Sequence, residues 1–170
     1  MVRLLDIEVS RASLALRVIS GVTLAALTFL LLYMVPSNLP SLIWEMGREQ
    51  PSVPGEVLSS LVDPMLPILG LALVPAVFLN ALLKKTAAQG PIMIVIGLLS
   101  VSYIYLAFHG GVISLDIPPS ILAGYPPSGG SLHLRIDFFL LMVLFMIPHF
   151  LSLVRGLLFI IDRHKRAIFD

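Results

Sequence analysis

The chain has 170 residues, a formal net charge of +1 and no cysteine, with 58% of its residues apolar and 12% charged; its mean hydropathy is +0.99. Such a balance lies outside the range of a water-soluble domain and makes lipid the expected solvent. The missing cysteine excludes disulfides, thiolate metal sites and iron–sulfur ligation, and the short stretches of positive charge are too sparse for a nucleic-acid surface.

In chain order, the segment Arg3 to Leu16 mixes Leu4, Leu5, Ile7 and Val9 with charges, the pattern of an interfacial helix. The first apolar stretch, Val18 to Val35, follows Arg17 and is closed by Pro36. Its core is long for a signal peptide, the residues before it are acidic as well as basic, and Pro36-Ser37-Asn38 is a poor cleavage site, so it is expected to be a true span. A loop from Ser37 to Ser60 carries Trp44, Glu45, Arg48, Glu49 and Glu56. The second span, Pro64 to Leu83, starts with Asp63 as N-cap and proline at the first helical position; Gly90-Pro91 opens the third, which runs to Ile113. Ser114 to Leu132 is rich in proline and glycine and is expected to be a loop, with Trp44 and Tyr125 as interface anchors. Phe138 to Ile161 is the fourth span, followed by a tail from Asp162 to Asp170.

Backbone amides in lipid must bond within their own segment, and no short alternating barrel pattern is repeated, so the spans are helices. The expected fold is an all-α integral membrane protein: one domain, an antiparallel bundle of four transmembrane helices with short loops. Arg3, Arg11, Arg17, Lys84, Lys85, Arg163, Lys165 and Arg166 fall on one side, Arg48 and Arg135 on the other. That bias puts both termini in the cytoplasm, with the plasma membrane as the expected location. No internal repeat suggests an inverted-repeat transporter.

Ionisable groups in spans are the natural functional suspects. Toward the outer face, Ser102, Tyr105 and His109 share one helical face, and His133 and Asp137 are four apart at the entrance of the fourth span. His109, His133 and Asp137 could together hold zinc, copper or iron(II), or relay protons; the plainer alternative is that they cap a helix and bond a neighbour. His149 follows Pro148 within the fourth span and is expected to bond a carbonyl freed by the proline; ligating a haem with Met93 or Met146 is the alternative. Toward the cytoplasm, Arg17, Asn80 and Arg155 lie at similar depth with no carboxylate beside them. Either the arginines snorkel to headgroups, or the three form a contact for anionic lipid or for another subunit. Gly21 with Ala25, and Ser152 with Gly156, are small-residue faces that permit close helix approach. Pro75, interior to the second span, is a candidate kink.

Phosphate loops, nucleophile elbows and H-E-x-x-H are missing from the sequence. The expected function is therefore that of a small polytopic membrane protein, a non-enzymatic subunit or assembly partner of a larger membrane complex. A homo-oligomeric channel or transporter is the second reading and a metal- or haem-dependent membrane enzyme the third. Expected partners are membrane lipids and other membrane subunits or copies of the chain, with no cofactor and no nucleic acid.

Overall fold

A computed structural model describes residues 2–4, 7–47, 63–117 and 132–169. The chain starts not with an interfacial helix but with a small antiparallel hairpin, β1 (Val2–Leu4) and β2 (Ile7–Val9), in which Arg3 stands opposite Glu8. Helix formation is delayed to α1 (Arg11–Thr28), because the Ser10 hydroxyl accepts the Ser13 amide at 3.2 Å and fixes the N-terminus there.

The first long helix does not stop at Pro36. It passes from α1 through a π-helical turn, Phe29–Met34, into α2 (Val35–Gly47). Pro36 has no N–H for the Leu32 carbonyl four residues back, and its ring crowds that carbonyl. The wider π register answers both problems: the Val35 amide reaches back five residues to the Leu30 oxygen, and the helix widens just before the proline.

The second helix, α3 (Met65–Leu82), starts where the Asp63 carboxylate accepts the Met65 amide at 2.8 Å. A tight turn, residues 83–88, leads into α4 (Gln89–Ala107). At its heart Thr86 is fully buried, its hydroxyl bonded to the Leu83 oxygen at 2.7 Å. Helix α4 is shorter than the stretch expected from hydropathy. After Phe108 the chain enters a 3-10 turn, His109–Gly111, in which His109, Gly110 and Gly111 all take positive φ, which ends the α-helix.

The proline- and glycine-rich connection is also more ordered at its two ends than a loop. Strands β3 (Val112–Ile117) and β4 (Leu132–Asp137) pair antiparallel from Val112↔Asp137 to Ile117↔Leu132. Apolar residues at every second position, VISLDI and LHLRID, carry the strand period. Helix α5 (Phe139–Phe169) completes the chain.

Among the described residues four helical stretches are long and apolar enough to cross a membrane: Arg11–Leu39, Met65–Leu82, Gln89–Ala107 and Phe139–Asp162. They pack in order of sequence. The α1–π segment lies on α3, α3 on α4, and α4 on α5, whereas no comparable contact joins α1 to α5. The α4–α5 seam is the most intimate. Gly90, Met93, Gly97 and Ser100 on α4 and Met142, Met146 and Gly156 on α5 are buried along it, at the three- and four-residue spacings of interlocking helices. At the hairpin end, the Phe108 ring lies 6.4 Å from that of Phe138 and 5.8 Å from that of Phe145, closing the top of the seam.

Candidate functional site

The residues singled out by polarity fall at the two ends of the helices. At the hairpin end, Asp137 caps α5, its carboxylate accepting the Phe139 amide at 2.8 Å. His133 stands opposite Asp116 in the ladder. It lies four residues along β4 from Asp137, about 13 Å at the rise of a strand. The spacing that would place the two side by side on a helix separates them on a strand. His109 leaves the α4 face of Ser102 and Tyr105, since it sits beyond the helix in the left-handed region. Among the described residues no group of three or more side chains of metal-ligand type is placed to hold an ion.

At the turn end the arrangement is more specific. The Arg17 guanidinium reaches from α1 to the Lys84 carbonyl, its Nη1 donating at 2.7 Å across 67 residues of sequence. That oxygen lies just past the C-terminus of α3, where orphan carbonyls and the negative end of the helix dipole both favour a cation. Arg17 is therefore a cap for a neighbouring helix. The turn beneath it is held in a left-handed conformation at Lys85, φ 71°, and by the Gln89 side-chain oxygen accepting the Lys85 amide at 2.7 Å. Replacing Arg17 with alanine should lower stability by about 1 kcal/mol, less than a buried charge-assisted bond contributes because the side chain is half-exposed, with lysine recovering part of the loss. Thermal unfolding of the three proteins in one detergent checks this, and equal melting of all three would show the bond to be idle.

Asn80, in the last turn of α3, has its Oδ1 shielded from solvent and bonded to no described residue. Arg155 is exposed on α5 and makes no hydrogen bond or ion pair with a described residue. The contact that Arg17 makes is with the Lys84 carbonyl, and no hydrogen bond among the described residues joins it to Asn80 or Arg155.

His149 lies half-buried on the α4–α5 seam. A Cβ placed on Gly97 would stand 3.1 Å from the His149 carbonyl oxygen and 2.5 Å from the Leu153 Cδ2 atom. The two helices are at van der Waals distance there, too close for a haem ring to lie between them, and Met93 and Met146 are buried in the same seam.

One node escaped the polarity reading because its functional atoms are backbone. The Leu32 carbonyl, four residues before Pro36, accepts the Tyr103 hydroxyl of α4 at 3.3 Å and lies directly against Gly70 of α3. Three helices thus meet at one oxygen. The only trace in the sequence is a proline four residues after Leu32. Tyr103 and Gly70 are unremarkable in isolation.

Geometry and composition together define a helical protein with four helices of membrane-spanning length. No protein-family model, no curated protein and no solved structure matches the chain. Trp44's side chain, Tyr125 and most of both long connections lie outside the described residues.

Proposed function

We propose that this chain is a multi-pass membrane protein of the plasma membrane, with both termini cytoplasmic, that acts as a non-enzymatic subunit or assembly partner of a larger membrane complex. The observation that carries the proposal is the pairing of Arg155 with an open edge. Among the described residues the long helix on which α5 packs is α4, and Arg155, exposed on α5, is bonded to none of them. Counting from Phe139, Arg155 is about 24 Å along the helix, still within a hydrocarbon layer of about 30 Å. A charge at that depth is retained when it reaches headgroups or meets an opposite charge on another chain. The turn with Lys84 and Lys85 and the C-terminal end of α5 then face the cytoplasm, as the basic residues require.

Gentle extraction into native-lipid particles tests the assignment. The expected result is co-purification with a different membrane protein in fixed ratio, lost on Arg155→Leu while the melting temperature of the isolated chain stays unchanged. In intact cells a cysteine at Ala88 should be shielded from an impermeant thiol reagent. A uniform homo-oligomer that conducts ions in liposomes would instead establish the channel reading.

A further inference from the structure

We propose that the β3–β4 hairpin is a lipid-binding element whose apolar face rests in the headgroup–acyl boundary of the leaflet at its end of the helices. The inference builds on the membrane reading above. The alternation in the sequence is matched by the ladder: Ile113↔Ile136, Leu115↔Leu134 and Ile117↔Leu132 pair apolar with apolar, while Ser114↔Arg135 and Asp116↔His133 pair polar with polar. A two-residue period sends alternate side chains to opposite faces, so Leu134 and Ile136 share one face of β4 and His133 and Arg135 the other.

Its position is set by helix length. Helix α4 has 19 residues, a rise of about 28 Å that nearly equals the hydrocarbon thickness. The ladder starts within a few residues of the end of α4, and the Phe138 amide donates to the Gly111 oxygen at 2.7 Å, clasping the two roots together. The hairpin therefore starts at the hydrocarbon boundary. Strand β4 is open on both faces: Leu134 is 41% and Ile136 37% exposed, and His133 and Arg135 are exposed as well. Exposed apolar residues recur in the first turn of α5, where Phe139 is 58% and Leu140 84% exposed.

Two physical constraints select the occupant. A two-stranded ribbon alone in water is marginal, and an aliphatic face needs cover. Yet the outer edges of a two-stranded ribbon have amides and carbonyls that need water or another polar partner, which forbids immersion in bare hydrocarbon. The boundary layer satisfies both, with acyl chains under Leu134 and Ile136 and hydrated headgroups at the strand edges and beside Arg135.

The absence of native cysteine makes the test direct. Single cysteines at His133, Leu134, Arg135 and Ile136 in the full chain, spin-labelled in liposomes of neutral phospholipid, are read for collision with oxygen and with a water-soluble nickel chelate. Expected is a period-two pattern, with oxygen favoured severalfold at 134 and 136 and the chelate at 133 and 135. Chelate access at all four sites would place the hairpin in water, and exclusion of both probes at 134 and 136 would place protein over it; either overturns the proposal. A label at Leu144, exposed on α5, separates the two levels: if it too favours the chelate, the span reading fails, whereas lipid access there with water at 134 fails the hairpin alone. Should the labelled proteins misassemble, the wild-type chain in liposomes carrying a photoreactive acyl chain should crosslink at Leu134 or Ile136, and crosslinks confined to the long helices would count against it.

Discussion

Gly70→Ala is expected to cost at least about 3 kcal/mol, the upper end for overpacking a close contact. A Cβ on Gly70 would overlap the Leu32 carbonyl oxygen, lie 2.5 Å from its carbon and stand 3.1 Å from the Tyr33 nitrogen. Every one of these atoms is backbone, so no side chain can turn aside. The α1–π segment and α3 would have to separate, and the Tyr103 hydroxyl would lose its acceptor. Gly21→Ala is the matched control on the same helix pair, because its Cβ would meet the Phe78 ring at 3.1 Å, which can rotate aside, and the Ala81 methyl at 3.3 Å, which a shift of a few tenths of an ångström relieves. Unfolding free energies measured in the same micelles should differ between the two variants by more than about 2 kcal/mol. Equal costs would mean that the helices do not meet backbone to backbone at Leu32.

The second large effect is expected at the α4–α5 seam. A Cβ on Gly156 would stand 2.9 Å from the Gly90 oxygen and 2.9 Å from the Ile94 Cγ1, and one on Gly90 would stand 3.1 Å from the Gly156 oxygen and 2.6 Å from the Ile160 Cγ1. Each glycine is thus the reason for the other. Gly156→Leu should cost about 2–4 kcal/mol by prying the helices apart, while the Phe108 cluster and the strand ladder keep their far ends joined. Because the two sites share one gap, Gly90→Ala and Gly156→Ala should combine to less than their sum: the first alanine opens the space that the second needs. A double-mutant cycle on unfolding free energy reads this coupling directly, and simple additivity would count against a shared contact.

Much of the helical layout is legible in the sequence because hydropathy over some 20 residues is a strong signal. The misreadings trace to particular residues. Pro36 reads as a stop under the rules of a regular α-helix, but a π turn gives the same chain a register in which the missing amide is tolerated. The stretch after Gly111 reads as a loop because Pro118-Pro119 and Tyr125-Pro126-Pro127 dominate its middle, although the strand period stands plainly at its two ends. Small-residue pairs four apart point to Gly21 and Gly156, both of which face a neighbouring helix. Gly90 and Gly97, seven apart, pack at least as closely and carry the heptad form of the same signal. The acceptors of Arg17 and Tyr103 were not legible at all. Both are main-chain oxygens, 67 and 71 residues away, and side-chain polarity says nothing about which carbonyl a fold leaves unbonded.

The neighbour-by-neighbour order of the long helices also bears on how the protein is made. A chain threaded into a bilayer during synthesis delivers its helices one at a time, N-terminal first. In a fold whose first helix packs mainly on its last, the early one must wait, exposed, until translation ends. Delivered in that way, α3 would find α1 already in place, α4 would find α3, and α5 would find α4, so each arrival would dock on the helix delivered just before it. Short-range closure of this kind is fast and leaves little time for wrong pairings. The exception is the bond from Tyr103 to Leu32, which closes across α3 and can form only when the third long helix has arrived, making that single hydroxyl a late latch on a structure otherwise assembled in the order it is written.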